Sequence, residues 1–264
     1  MLTVLKLGGE LLDDATAVRR AAAAIVRFAA RSPLVVVHGG GRAIDAELRA
    51  RGQQPSFVDG LRITDAPALD AAISVLAGRN NTALVAAIGA EGGRAVGLTG
   101  ADGLVGLSSK AGAFTTVTGQ AVDLGLVGQP DGSDASLLTD LLRIGCTPVV
   151  ASIGVSREGD LLNVNADTLA AHLAGIIAAG RLIIAGATAG VLDRDGAVIP
   201  ALSLDAVDRM IASGEAHSGM VAKLSACRAA LRAGVREVAV VGGLAVDDFE
   251  AAMGTVICRE LVTT

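Results

Sequence analysis

The sequence predicts an α/β fold with a mainly parallel central sheet sandwiched by helices, and three observations carry that expectation. Six short runs rich in Val, Ile and Leu recur along the chain, each followed by a glycine-containing break and then an alanine-rich stretch. In those stretches the apolar residues fall at helical spacing, the alternation expected of βα units with buried parallel strands. Finally, 52% of the 264 residues are apolar against 19% charged, enough to fill a large core and too apolar for a disordered chain.

Taken in order, Thr3–Leu7 reads as the first strand, because MLTVLKLGGELLDD has no basic opening and too short an apolar run for a secretory leader. A helix follows over 17–30 (AVRRAAAAIVRFAA), then a strand at Leu34–His38 that runs into Gly39, Gly40 and Gly41 and a helix over 41–52. A further helix is predicted over 66–78 and a strand at Arg94–Leu98. From about Leu104 to Gln129 the helical period is missing and Thr, Val, Gly and Ser mix, so hairpins projecting from the main sheet are expected. A helix over 135–145 leads to a strand at Thr147–Ile153, after which SREGD at 156–160 interrupts the apolar pattern. We read a soft boundary there, dividing two lobes, 1–156 and 157–264, that share one sheet. The second lobe holds a helix over 166–177, a strand at Arg181–Ala185, a helix over 220–234 and a strand at Glu237–Val241. Most of these helices end near a glycine that can serve as the C-cap. The longest apolar stretch, Leu173 to Leu192, carries Arg181 and several glycines and reads as helix, turn and strand rather than a membrane span.

Composition excludes several classes of function. A net charge of -5, four Phe, and neither Trp nor Tyr argue against a nucleic-acid partner, which needs a basic field and stacking platforms. Cys146, Cys227 and Cys258 have no CxxC spacing and read as thiols of a reduced, cytoplasmic, soluble protein with no structural zinc and no membrane partner. Of the 22 basic residues only Lys6, Lys110 and Lys223 are lysines.

Three junctions carry candidate chemistry. Gly39, Gly40 and Gly41 before a helix would let backbone N–H groups approach an anion, with the helix N-terminus adding its positive end; a tight βα turn is the plainer alternative. Lys6 lies in an apolar strand just before Gly8 and Gly9, costly in a buried strand unless it meets a negative charge and unremarkable in an edge strand. Asn163, Asn165 and Asp167 sit at or before a helix start; one of them caps it, which leaves the others for a ligand. A P-loop is ruled out because no Gly-Lys dipeptide exists, and the triglycine segment fails the GxGxxG fingerprint. His38 could touch a substrate or simply bond to backbone, whereas His172 in an Ala-Leu helix reads as structural.

In order along the chain, KLGG at 6–9, HGGG at 38–41, DGLR at 59–62, NVNAD at 163–167 and SGMVAK at 218–223 resemble the amino acid kinase family, with AVGLTGADG, GLVGQP and PVVASIGV in support. Within it, the likeness is to members that act on N-acetyl-L-glutamate. The resemblance implies transfer of the ATP γ-phosphoryl group to a side-chain carboxylate, in arginine biosynthesis, with Mg²⁺ bound mostly through the phosphates. A carboxylate is already ionised near pH 7, so no general base is needed. It further implies that Lys6 and Lys223 meet the phosphoryl oxygens with Asp167 between them, and that Gly8, Gly9 and Gly39 donate N–H bonds to the phosphoryl group. Gly40, Gly41, Arg62, Asn163 and Asn165 would seat the acyl amino acid, with Arg62 bidentate to its α-carboxylate. Ala187, Thr188, Gly190, Val191, Leu192, Glu215, Ala216 and His217 match the nucleotide pocket. The first lobe would then bind the acyl amino acid and form a homodimer, and the second would bind the nucleotide. The family usually carries Ser/Thr-Asp-Val-x-Gly where this chain has Gly186-Ala187-Thr188-Ala189-Gly190, and Lys where it has Thr82. A related carboxylate kinase, acting on N-succinylglutamate or a carrier-bound aminoadipate, and a weakened member that regulates a partner are the alternatives. Because the first strand begins by Thr3, with no preceding helix, insensitivity to arginine is expected.

Overall fold

The computed structural model describes residues 1–116, 119–214, 218–244 and 247–260. The first half contains strand β1 (Thr3–Leu7), helix α1 (Ala15–Ala29), β2 (Leu34–His38), α2 (Gly41–Ala50), β3 (Phe57–Val58), β4 (Leu61–Arg62), α3 (Ala66–Ile73), α4 (Asn81–Ala90) and β5 (Ala95–Thr99). Then come β6 (Ser108–Lys110), β7 (Phe114–Thr115), β8 (Ala121–Val122), β9 (Val127–Pro130), α5 (Ser136–Arg143), β10 (Thr147–Ala151), β11 (Ile153–Val155) and β12 (Leu161–Val164). The remainder is α6 (Ala166–Ile176), β13 (Arg181–Gly186), β14 (Ala201–Ser203), α7 (Leu204–Ser213), α8 (Ser218–Arg232), β15 (Glu237–Gly242) and β16 (Gly254–Cys258).

Eight strands form one sheet in the order β14-β16-β15-β13-β1-β2-β10-β5. Every neighbouring pair in it is parallel except β15 with β16. Strand β1 therefore lies at the middle, flanked by β2 and β13, and the edge-strand reading of Lys6 does not apply. The chain leaves β1 toward β2 on one side and later fills β13 on the other, a switch point of the kind where α/β sheets bind ligands beyond their strand C-termini. On one face Val4, Val37 and Ile184 pack against Leu169 and Leu173 of α6 and Leu224 and Cys227 of α8. On the other, Leu5, Leu7 and Ile183 pack against Ile25 and Phe28 of α1 and Leu84 and Ile88 of α4. Because side chains alternate along a strand, Lys6 shares the α6/α8 face with Val4.

The residues 104–129 expected as hairpins do leave the main sheet. Strands β6 and β9 join β11 and β12 in a second sheet, and β7 with β8 forms a separate hairpin. The predicted strand Thr147–Ile153 is in fact two. It breaks at Ser152, whose N–H reaches the carbonyl of His38 at 3.3 Å, just where the neighbouring strands β2 and β5 end and β11 turns into the second sheet. The SREGD segment is the turn between β11 and β12, closed by the Ser156 N–H on the Asp160 carbonyl.

The helix predicted over 66–78 does not stop at Gly78. It continues through a π-helical segment, Ser74–Asn80, into α4. One glycine costs a helix about 1 kcal/mol, and burial of Val75, Leu76 and Leu84 outweighs that. Among the described residues this run, Ala66–Ala90, is the one helix long and apolar enough to cross a membrane by length and composition; it carries Asp70 and Arg79 and packs on α1, α2 and β5. Helix α7 and strands β12, β14 and β16 were not anticipated. Strands β12 and β14 are short, and α7, capped by the Ser203 side chain on the Ala206 N–H and ended at Gly214 with φ 72°, buries only Val207.

Candidate active site

The site is built where β1 ends and α6 begins. Lys6 reaches from the sheet centre toward α6 and places Nζ 2.7 Å from Asp167 Oδ1, with side chains only 7% and 8% exposed. From α8, which packs along α6, Lys223 brings Nζ to 3.3 Å from Asp167 Oδ2. Asp167 is aimed by its helix: Asn165 caps α6, its Oδ1 accepting the N–H groups of Asp167 at 2.9 Å and Thr168 at 3.1 Å, and a carboxylate in a first helical turn also suits the helix dipole. The sequence left open which of Asn163, Asn165 and Asp167 is the cap; it is Asn165, so its Oδ1 is committed to the helix rather than to a substrate.

Burial pushes the Lys6 ammonium below its usual 10.5, with Asp167 pulling the other way and Lys223 adding to the lowering. Burial alone would push the Asp167 carboxyl up, yet the two ammonium groups outweigh it and hold it below 3.8. Two cations on one anion leave the cluster with an excess positive charge in a low-dielectric setting, and an incoming anion would satisfy it.

Asp167 also stands at the junction of two cavities. A smaller one of about 290 Å³ is lined by Lys6, Gly40, Gly41, Arg62, Asn163 and Asp167 among others. A larger one of about 1080 Å³ takes in Asp167, Lys223, Thr188, Val191, Leu192 and Met220. Each lysine faces one cavity, and the carboxylate between them borders both.

The glycines divide by purpose. A Cβ on Gly9 would lie 2.7 Å from the Gly40 Cα, and one on Gly40 would lie 2.7 Å from Asn80 Nδ2, so these two are needed for the two loops and the π segment to pack. A Cβ on Gly41, by contrast, would meet nothing within 4 Å. As the first residue of α2 it has no intrahelical acceptor for its N–H. Open space and an uncommitted donor at a helix N-terminus suit an anion. The expectation for Gly8 needs correcting: its N–H donates to the Ala185 carbonyl at 2.8 Å, extending the β1–β13 ladder, and is not available to a phosphoryl group. The Gly39 N–H similarly points to the Leu7 carbonyl at 3.4 Å.

Arg62 is 8% exposed in its side chain. Its Nη2 donates to Asp45 Oδ1 at 2.5 Å and to the Gly41 carbonyl at 3.2 Å, and the guanidinium stacks on Phe57 at 4.7 Å. Its Nη1 is buried without a hydrogen-bond partner. Asn163 donates from Nδ2 to Thr64 Oγ1 at 3.0 Å and lines the same cavity. A buried donor without a partner, on a guanidinium whose residue lines a small cavity, is a place for a carboxylate oxygen.

The profile of the amino acid kinase family matches residues 1–242, nearly the whole chain. The chain belongs to the amino acid kinase family. An acetylglutamate kinase of Afipia carboxidovorans is 41% identical over 247 residues, covering 91% of this chain and 83% of that protein. One of Bradyrhizobium diazoefficiens is 40% identical over 246 residues with the same coverage. Among solved structures, N-acetylglutamate synthase from Neisseria gonorrhoeae, complexed with coenzyme A and N-acetyl-glutamate, has a TM-score of 0.83 at 24% identity; the chain is covered to 98% but spans 60% of that protein. Giardia carbamate kinase has a TM-score of 0.69 at 16% identity, covering 98% of this chain and 99% of the other. These two likenesses are of fold.

Thr188, Val191 and Leu192 line the larger cavity. Gly190 lies where a Cβ would be 2.8 Å from Thr255 Oγ1, the hydroxyl that accepts the Val191 N–H, so its glycine is a packing requirement. The Ala187 N–H is taken by Glu10 Oε1 at 2.7 Å. Glu215, Ala216 and His217 lie outside the described residues. Glu10 and Asp45 were not anticipated: each follows its glycine motif by a residue or a helical turn, a signal that only contact across the fold turns into a role. Lys110, for which the sequence offered no role, pairs with Asp123 at 3.6 Å on the surface.

His38 is structural in this family member. It is fully buried, its Nε2 accepts from Asn81 Nδ2 at 3.1 Å and its Nδ1 lies 3.3 Å from the Gly39 carbonyl, which assigns the proton to Nδ1. His172 likewise bonds Ser133 Oγ at 3.0 Å. Burial lowers the His38 pKa from 6.5 to about 4. A depressed pKa means the folded state holds the proton less tightly, so the stabilisation is complete above pH 6.5 and is lost as pH falls toward 4, amounting to about 3 kcal/mol at about 1.4 kcal/mol per pH unit. Urea unfolding at pH 7 and pH 4 should therefore show a drop that His38→Gln reduces by about that amount. Equal drops in both proteins would assign the acid sensitivity elsewhere.

Proposed function

We propose that the chain is an ATP-dependent kinase that phosphorylates the side-chain carboxylate of N-acetyl-L-glutamate, giving N-acetylglutamyl 5-phosphate for arginine biosynthesis. The observation that carries this reading is the Lys6–Asp167–Lys223 cluster at the junction of two cavities, in a chain about 40% identical to acetylglutamate kinases.

On this reading the smaller cavity takes the acyl amino acid and the larger one ATP. A substrate carboxylate oxygen forms a bond to the γ-phosphorus, the bond from that phosphorus to the β–γ bridging oxygen breaks, and ADP leaves with the electron pair. Nothing has to remove a proton from the nucleophile. The chain's contribution is to align the two substrates and to neutralise charge on the moving phosphoryl group, with one ammonium approaching from each cavity. Asp167 holds both lysines apart at fixed positions, and the N–H groups of Gly9, Gly40 and Gly41 are the remaining donors close by. Mg²⁺ fits as an ion carried on the nucleotide's phosphates: among the described residues no three carboxylate, imidazole or thiol groups converge, and the cationic cluster suits phosphate oxygens rather than a metal. The lobe division at 156–157, drawn from the break in the apolar pattern, a cytoplasmic location, drawn from the unpaired cysteines, and a homodimer, drawn from the family likeness, belong to the same reading; sedimentation of the purified protein tests the last.

The unpartnered Nη1 of Arg62 is assigned to the substrate α-carboxylate, with Nη2 shared with Asp45. Arg62→Ala should raise KM for the acyl amino acid about 10- to 100-fold while kcat changes far less, the worth of a hydrogen bond to a charged group. Arg62→Lys, which keeps the charge but not the planar fork, should fall between. An unchanged KM in both variants would move the α-carboxylate to other residues.

The deciding experiment is a substrate panel with Mg-ATP and purified protein. ADP release with N-acetyl-L-glutamate is expected. No release with that substrate, alongside turnover of N-succinylglutamate or another acyl amino acid, would overturn the assignment. Failure to bind Mg-ATP in calorimetry would instead favour a regulatory relative that has lost catalysis.

A further inference from the structure

The loop that leaves β13 is tied down on its strand side by two backbone hydrogen bonds, Gly8 N–H to the Ala185 carbonyl at 2.8 Å and Gly243 N–H to the Gly186 carbonyl at 2.7 Å. The next anchor is at Val191, whose N–H donates to Thr255 Oγ1 at 2.8 Å. Between them runs the segment that lines the nucleotide cavity through Thr188. Among the described residues, one hydrogen bond from outside the loop reaches this segment: Ala187 N–H to Glu10 Oε1 at 2.7 Å, across 177 residues of sequence. The turn that carries Ala187 thus has a carboxylate on it, delivered from the segment that follows β1.

The space for that carboxylate is built in. A side chain on Gly8 would collide with the Glu10 carboxylate, and a Cβ on Gly186 would lie 2.9 Å from its Oε1. Glu10 lines the smaller cavity beside Lys6 and its negative charge favours the Lys6 ammonium, but among the described residues the ion pairs of Lys6 and Lys223 are with Asp167 and none is with Glu10.

We propose that Glu10 is a positioning residue for the nucleotide: by accepting the Ala187 N–H, its carboxylate latches the loop after β13 to the glycine turn after β1 and fixes the wall on which ATP lies. The inference rests on the kinase reading. Its test is calorimetric binding of Mg-ATP to the full chain without acyl substrate, in wild type, Glu10→Ala and Glu10→Gln. Glu10→Ala should weaken binding about 10-fold, equivalent to about 1.4 kcal/mol. Glu10→Gln still offers an amide oxygen to the Ala187 N–H and should stay within about threefold of wild type, and KM for N-acetyl-L-glutamate should move less than the nucleotide affinity in each. Should Glu10→Ala not fold, Glu10→Asp, too short to reach Ala187, is expected to show the same 10-fold loss. Unchanged or tighter Mg-ATP binding in the variant lacking the contact would overturn the latch, as would a Gln variant as weak as the Ala variant. No Mg-ATP binding by the wild type would instead sink the kinase reading and the latch with it.

Discussion

Replacing Lys223 with alanine should lower kcat about 10²- to 10³-fold with a much smaller change in either KM. One preorganised donor at developing charge contributes about 3 to 4 kcal/mol in a water-excluded site, and an ammonium on the moving phosphoryl group acts mainly in the transition state. Lys223 is the less buried of the two lysines, its side chain 18% exposed against 7% for Lys6, so its removal should leave the fold intact. Lys6→Ala should be as damaging to kcat and should also lower the melting temperature, because it takes one partner from a buried ion pair, a loss of about 3 to 5 kcal/mol softened here by the remaining Lys223. The two variants thus separate chemistry from stability. ADP release at saturating substrates gives the first quantity and thermal unfolding the second. A Lys223→Ala enzyme within threefold of wild-type kcat would remove that residue from the mechanism.

Asp167→Asn should be the most disruptive isosteric change in the chain, reducing kcat at pH 8 by about 10³-fold on the scale of a lost preorganised charge contact. The side chain keeps its size, but two buried ammonium groups then face each other without a counter-charge. Burial and Lys223 both lower the Lys6 pKa, and Asp167 is the chief group opposing them. Without it the pKa falls further, Lys6 loses its proton at lower pH, and the alkaline limb of the kcat profile should move toward neutrality. The stability dependence has its own sign. In the wild type the Asp167 pKa is depressed below 3.8, so the carboxylate's contribution is fully present above pH 3.8 and is lost as pH falls through the folded value. In Asp167→Asn that acid-induced loss should vanish, while stability at pH 7 falls. An unshifted alkaline limb together with near-normal kcat would mean that Asp167 does not govern Lys6.

Much of this was legible in the chain. The strands at 3–7, 34–38, 181–186 and 237–242 are nearly continuous apolar runs, which a strand buried on both faces requires, and they appear almost at the expected residues. The helix start near residue 166 is marked by candidate caps, and Asn163, Asn165 and Asp167, at or before that start, are more than capping needs. The use of lysine was also informative. With 3 lysines among 22 basic residues, finding lysine at both proposed phosphoryl contacts and arginine at the proposed carboxylate contact matches a compact ammonium to the first and a planar fork to the second. Less legible were the elements whose period is broken or whose length is too short: the π segment that carries a helix past Gly78, strand β10 breaking at Ser152, and the brief strands β12 and β14.

What the sequence determined by itself was the fold class, the βα alternation and the family motifs, because burial on a strand or helix writes itself into local periodicity. Only the tertiary structure decided what those motifs do to one another. It put Lys6 at the sheet centre instead of an edge, turned it toward Asp167, assigned the cap to Asn165, enclosed His38, and showed that Gly9 and Gly40 serve loop packing while Gly41 stands open. It also brought Glu10 to Ala187. The physical reason is that these contacts depend on strand order and register, which bring together residues far apart in the chain, Lys6 beside Ile184 and Glu10 beside Ala187, and no local pattern records which side chains will share a space once the sheet is assembled.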